Sequence, residues 1–323
     1  MAGESLRLSV LDQTPVGEGY SPAEALRASV ELAQTLDTRG FTRYWVAEHH
    51  NSPGFAGTAP EILAGQLLAR TRNLRVGTGG VLLPRYSAAK VAEVFQVLAA
   101  LHPGRVDLGL GRAGGPAQRF PEQVGDVRRL LGMDLTGAPT GDEGPGPRMW
   151  LLGAGSRSAE LAGRLGASFA FAHFLSPAPG RAALAAYRQE LAEYGHPART
   201  GVLAVRAVVA DTAEKADELA RSLLLWRSRK DLGEDLPLPS LETTRRHRWT
   251  GQEAERAAVN GRSLVYGTAE QVHARITELA AGHGVDEVVV NTLTHEPADR
   301  VRSYELLAEA FALTGGVRVP VGV

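Results

Sequence analysis

Cysteine is absent from all 323 positions of the chain. Its absence excludes a disulfide framework, thiolate-held zinc or iron–sulfur centres, and any cysteine nucleophile. An excess of charge of either sign is missing too. With 35 basic and 36 acidic side chains, the chain offers no electrostatic footprint for nucleic acid or an anionic membrane surface. Long apolar runs are missing as well: no stretch approaches 18 consecutive apolar residues. The opening MAGESLRLSVLDQTP has no basic region followed by an apolar one, so a soluble, cytoplasmic protein is expected. What is present is 44% hydrophobic residues in a chain long enough to bury a large core without staples. The length suits either two ordinary domains or one α/β barrel.

Short β-rich runs alternate with longer amphipathic ones, the pattern of a parallel α/β sheet. Expected strands are LRLSVLD (6–12), TRYWVAE (42–48), LRVGTGG (74–80), RVDLGLG (105–111), MWLLG (149–153), SFAFAH (168–173), VLAVRAVVA (202–210) and DEVVVNT (286–292). Helical patterns separate them, among them SPAEALRASVELAQTLDTRG with its serine start and glycine stop, and further ones near 117–131, 156–165, 180–195, 212–228 and 268–283. Eight strand–helix units are the count of a single (β/α)8 TIM barrel spanning 1–323. Two segments interrupt the alternation. Residues within about 112–148, above all the Gly- and Pro-rich 132–148, read as a loop, and about 229–265 reads as an excursion over one barrel face between strands 7 and 8.

Four segments carry candidate chemistry. At the end of the second strand stand Glu48, His49 and His50, where side chains of a barrel face the active-site mouth. Histidine titrates near neutrality and suits proton transfer to or from a reacting oxygen. Adjacent histidines on a strand point to opposite faces, so they do not converge on a metal, and no metal site is expected. The residues also allow a plainer arrangement, with Glu48 paired to an arginine and both histidines in an ordinary loop. The third strand ends Thr78, Gly79, Gly80, where glycine admits either a simple bulge or a flat ligand against the main chain. LGLGRAGG has dinucleotide-fingerprint spacing at Gly109, Gly111 and Gly114, but no second strand ending in an acid follows to hold a ribose. LLGAGSRSAELAG places Gly153, Ala154, Gly155 and Ser156 at a strand-to-helix turn. Free N–H groups there suit a phosphate, or Ser156 simply caps the helix.

Taken in order, VAEHHN, VGTGGVLLP, GRVDLGLGRA, LLGAGSRSAELAG and the closing DEVVVNTLTHEPADRVRSYELLAEAF resemble the bacterial-luciferase-like family of flavin-dependent monooxygenases over nearly the whole chain, most closely its single-chain relatives in secondary metabolism. The resemblance implies a flavin ring across the carboxyl ends of the strands, with Glu48 and His49 beside it and His50 as a secondary candidate. It implies a cis peptide between Gly79 and Gly80, a phosphate held by Arg112 with Gly155 and Ser156, and further cofactor contacts from Thr78, Gly111, Gly153 and Ala154. His173, at the end of the sixth strand, is expected over the pocket facing substrate.

The activity implied is oxygenation of an apolar small molecule with reduced FMN and dioxygen through a peroxyflavin, the reduced FMN coming from a separate NAD(P)H-dependent flavin reductase. A homodimer is implied. Two alternatives stand beside it: deazaflavin-dependent hydride transfer, which the sequence does not exclude, and flavin binding without turnover, against which Glu48, His49 and His50 argue. It departs from the family in two places. The segment after GRA is short, so part of the usual lid is missing, and Gly111 stands where luciferase has a cysteine, which separates the chain from light emission.

Overall fold

The computed structural model describes residues 6–132 and 146–315; most of the Gly- and Pro-rich segment expected as a loop therefore lies outside the described residues. The elements are β1 (Arg7–Asp12), α1 (Pro22–Leu36), β2 (Arg43–Val46), α2 (Pro60–Arg70), β3 (Arg75–Thr78), β4 (Val81–Leu82), α3 (Ala88–Leu101), β5 (Val106–Gly111), α4 (Phe120–Leu131), β6 (Arg148–Gly153), α5 (Ser156–Arg164), β7 (Ser168–Ala172), α6 (Gly180–Glu193), β8 (Val202–Val209), α7 (Ala213–Asp231), α8 (Leu241–Arg246), α9 (Gly251–Gly261), β9 (Leu264–Gly267), α10 (Ala269–His283), β10 (Glu287–Asn291) and α11 (Pro297–Ala310). Local chemistry sets the helix ends. Ser21 and Glu24 form a capping box at the start of α1, Thr268 and Gln271 form another at α10, and α10 stops where Gly284 turns left-handed at φ 64°.

Parallel pairing runs β1–β2–β3–β5–β6–β7–β8–β10, and β10 returns to β1 through Arg7↔Glu287 to Val10↔Val290. The sheet is thus a closed (β/α)8 barrel, as the eight strand–helix units require. Two short strands fall outside that count. β4 continues the line of β3 against β5 beyond the Gly79–Gly80 peptide, which is cis, and β9 pairs with the end of β8, Arg206↔Leu264 to Val209↔Gly267. Two and four residues are too few to display a period of two, so neither stands out in the sequence.

Inside the barrel the strands stack their inward residues in layers. At the amino end Arg43 is clamped between Asp107 at 2.8 Å and Glu287 at 2.6 Å, Arg75 adds a second contact to Asp107 at 2.6 Å, and Ser9 donates to Glu287. Four buried charges that neutralise one another seal this end. Above them Leu11, Trp45, Trp150, Ala170, Ala204 and Val289 form an apolar floor. The larger core lies outside the barrel, between strands and helices, where Tyr44, Phe95, Phe169, Phe171 and Tyr187 are fully buried.

The excursion between β8 and β10 is ordered and carries α8, α9 and β9. Leu238 exchanges backbone hydrogen bonds with Val16 and Glu18, in the loop that follows β1. That pairing lays the segment over the carboxyl end of the barrel. Among the described residues no helix is long and apolar enough to cross a membrane.

Candidate active site

Above the apolar floor a cavity of about 710 Å³ opens at the carboxyl ends of the strands. It gathers most of the residues expected from sequence: Glu48, His49, Gly79, Gly80, Gly111, Arg112 and the whole turn Gly153, Ala154, Gly155, Ser156 line it. His50, Thr78 and His173 do not.

His49 is mostly buried, and its ring stacks on Phe55 with centroids 4.1 Å apart. Its Nε2 lies 3.2 Å from Nε2 of Gln13. The amide orientation of Gln13 follows from its other end, where Oε1 accepts from Nη2 of Arg206 at 3.2 Å. Gln13 therefore donates to the imidazole, which places the ring proton on Nδ1, an atom without a partner among the described residues. Burial, followed by the charges of Lys230 and Arg206, pushes the His49 pKa down to about 4. At neutral pH the ring is uncharged.

Glu48 is only 4% exposed, and its carboxylate is fully engaged by its own chain. Oε1 accepts from His50 Nε2 at 2.5 Å and from the Tyr86 hydroxyl at 2.7 Å, while Oε2 accepts from the Leu82 backbone N–H at 2.8 Å. Arg85 stands 3.9 Å away. Glu48 thus ties the end of β2 to the turn after β4, and His50 is one of the groups it ties. His49 reaches the cavity, whereas His50 turns to the Glu48 carboxylate and has no cavity surface.

Two further expectations are corrected by the same geometry. Thr78 is buried, and its hydroxyl bridges the Gly109 carbonyl at 3.0 Å and the Gly109 N–H at 3.2 Å, so it joins β3 to β5 and has no cavity surface. His173 is 5% exposed and faces the helical layer, edge-on to His283 with centroids 5.6 Å apart. On β7 the small residues Ala170 and Ala172 face inward and Phe169 and Phe171 face outward; His173 follows Phe171. Burial pushes its pKa down to about 4 as well, with His283 and Arg275 adding to the effect.

The opposite wall is formed by the start of α5 and two arginines. The residue at the N-cap of α5 is Gly155, no side chain caps the helix, and an added Cβ at Gly155 would meet nothing within 4 Å. The capping role considered for Ser156 is therefore not in use, and first-turn N–H groups remain open to a ligand. Arg112 and Arg157 are exposed, line the same cavity, and have no ion pair among the described residues. Gly79 admits close approach of a ligand to the main chain; a Cβ there would stand 2.7 Å from Leu11 and 3.1 Å from Trp45.

Several cavity residues were not singled out from sequence. Trp226 and Lys230 come from the end of α7, the aromatic side chain sealed edge-on against Phe55 at 5.3 Å and the ammonium paired with Asp235 at 2.8 Å. Trp226 Nε1 donates to the Leu236 carbonyl at 2.8 Å, which anchors the excursion over the mouth. Arg206, from β8, donates through Nε to Asn291 at 3.0 Å, and Asn291 in turn donates to the Leu11 carbonyl. An arginine inside the otherwise apolar VLAVRAVVA was the available signal.

Comparison with known proteins agrees with the architecture and with the order of the motifs. The model of luciferase-like monooxygenases matches residues 6–129 and 118–287. The chain is 40% identical over 332 residues to the uncharacterized protein YwcH of Bacillus subtilis (strain 168), covering 94% of this chain and 99% of that one. It is 33% identical over 331 residues to the N-acetyl-S-alkylcysteine monooxygenase of the same organism, covering 94% and 98% respectively. The crystal structure of apo-MsnO8 superposes with a TM-score of 0.85 at 36% identity, covering 96% of this chain and all of that one, 100%.

Proposed function

The chain belongs to the luciferase-like monooxygenase family, and from that premise we propose that it oxygenates a small, largely apolar organic molecule with reduced FMN and dioxygen. The observation that carries this reading is one cavity holding both a helix start without a side-chain cap, flanked by two arginines unpaired among the described residues, and a neutral, desolvated histidine. The first suits a dianionic phosphate and the second suits proton handling at a reacting oxygen.

The residues present fit FMN. Arg112 and the N-terminus of α5, with Ser156 and Ser158, would hold the phosphate. The side-chain-free stretch Gly79–Gly80 would accept the flat ring against the main chain, and Gly111, Gly153 and Ala154 would border it. When bound, reduced FMN supplies the two electrons that activate dioxygen for transfer of one oxygen atom. Around it, Trp226, Phe55 and Leu175 exclude water from the mouth. His49 holds a proton at Nδ1 and is the group placed to donate it to, or recover it from, oxygen. Glu48 serves as a positioning residue, since every contact it makes fixes the loop that carries His49. Neither glycine-rich turn is followed by the acid a dinucleotide ribose needs, so reduced flavin comes from a separate NAD(P)H-dependent reductase.

Ile62 on α2 and Val97 and Leu101 on α3 are exposed apolar side chains on two helices that touch. We assign them to a homodimer interface; sedimentation of the wild type as a dimer, and of Ile62→Asp as a monomer, is the expected result.

The function is tested by anaerobic titration with reduced FMN followed by mixing with oxygenated buffer. Tight binding and a changed rate of reoxidation relative to free flavin are expected. Binding without any effect on the oxygen reaction would mean a flavin carrier, and activity only with a reduced deazaflavin would mean hydride transfer; either overturns the proposal.

A further inference from the structure

Arg206 is 8% exposed and lines the main cavity, yet no carboxylate pairs with it among the described residues. Its hydrogen bonds go to two neutral amides, Asn291 through Nε at 3.0 Å and Gln13 through one Nη2 donor at 3.2 Å. A guanidinium has five donors, and among the described residues Nη1, on the cavity side, has no partner. Beneath it lies the face of Phe174, 4.9 Å from the guanidinium carbon.

The neighbouring charges do not relieve this. Arg227 is matched by Asp231 at 2.8 Å and Lys230 by Asp235 at 2.8 Å. Glu48, which also lines the cavity, has both oxygens committed to Leu82, Tyr86 and His50. A buried, unmatched cation is unfavourable by several kcal/mol unless something compensates it. At the other end of the barrel Arg43 shows the usual arrangement, with two carboxylates against one guanidinium.

We propose that Arg206 is the anchor for a carboxylate carried by the organic substrate. The anchor is separate from the phosphate cradle. Arg112 and α5 follow β5 and β6, whereas Gln13 directly follows β1 and Arg206 and Asn291 stand on β8 and β10, on the far side of the closed barrel. The surroundings between the two are apolar and aromatic, with Trp226, Phe55, Phe174 and Leu175 among the lining. The occupant is therefore an acid with an apolar body, its charge on Arg206 and its body beneath Trp226. Burial already pushes the Arg206 pKa down to about 9, the sense expected of a cation without a partner. The planar fork also explains arginine over lysine, since two parallel donors match a carboxylate and fix its orientation. Because Arg206 holds Gln13, which holds His49, seating the acid would also fix the imidazole.

This rests on the cavity being the reaction site of a flavin enzyme, but its test reads without flavin. Octanoate, phenylacetate and N-acetylmethionine, each beside its own primary amide, are titrated calorimetrically into the wild-type protein with and without FMN. At least one acid is expected to bind roughly ten- to a hundredfold more tightly than its amide, and Arg206→Gln is expected to abolish that preference while Arg206→Lys keeps part of it. FMN affinity should stay within about twofold in both variants. Acids binding no better than their amides would overturn the proposal, and this comparison needs no variant to fold. A preference that survives Arg206→Gln would overturn it too. So would a loss of FMN affinity in Arg206→Gln as large as the loss for the acid, which would assign the guanidinium to the flavin. Failure of the wild type to bind FMN at all would instead count against the flavin reading, leaving the acid comparison to decide this one.

Discussion

A neutral His49 has a consequence that can be measured directly. An ordinary histidine titrates at 6.5, and the cavity holds this one at about 4. The difference corresponds to about 3 kcal/mol of resistance to charging in the folded protein. At pH 5 an unperturbed imidazole would be almost wholly protonated, whereas His49 would be about one-tenth protonated. As pH falls below 6.5 the unfolded chain takes up the proton first, so stability contributed by the neutral ring is intact above that value and is lost progressively down to about 4. By pH 5 the loss is about 2 kcal/mol. The assay is nuclear magnetic resonance of protein labelled in its nine histidines, with His49 identified by the signal missing from His49→Gln. A midpoint near 4 is expected. Lys230→Gln should raise it, since Lys230 is the largest charge contribution, but leave it below 6.5 because burial dominates. Unfolding midpoints should show the same group, with His49→Gln gaining on the wild type as pH falls from 6.5 to 5. A midpoint of 6 or above for His49, unmoved by Lys230→Gln, would refute the reasoning and restore a charged imidazole as the acid.

Arg112→Ala should weaken FMN binding by roughly ten- to a hundredfold, read by flavin fluorescence, because it removes a charge-assisted contact to phosphate; an unchanged dissociation constant would remove Arg112 from the phosphate site. Glu48→Ala leaves the half-buried Tyr86 hydroxyl and Leu82 N–H without their acceptor. A loss of about 2–4 kcal/mol is expected in urea unfolding, with His49 reoriented as a result. His173→Phe should leave turnover unchanged, since His173 has no cavity surface, and should improve relative stability between pH 6.5 and 4, where the buried ring resists its proton. A large fall in turnover would return His173 to the pocket.

The fold was legible because its signals are local and repeated. Eight apolar runs, each followed by a helix and several of those helices side-chain capped, leave few arrangements besides a closed parallel barrel. The site was legible where glycine or strand parity carried it. Parity counted from Trp45 through Ala47 puts His49 at the cavity, which Glu48 reaches as well, and the turn at Gly155 has no competing cap. Parity could also have placed His173, since in SFAFAH the small residues must face the cavity to leave it room and the phenylalanines must face the helices to fill space there. Position at a strand's end alone points His173 to the pocket; the side of the strand decides against it.

Trp226 and Lys230 are a different case. They sit on a helix whose surface reads as ordinary, and long-range contacts such as the backbone pairing of Leu238 with Val16 and Glu18 bring the excursion, and with it the end of α7, over the barrel mouth. Arg206 lies between these extremes. Counting by twos along β8 from Val202 through Ala204 puts it inside the barrel, and elementary electrostatics says that an arginine there needs an anion. At the amino end the protein supplies one, in Asp107 and Glu287 beside Arg43. At the carboxyl end it supplies only amides. An enclosed cation left unmatched at the open end of a barrel, when the same chain matches one so fully at its closed end, is the arrangement expected if the missing charge arrives with the substrate.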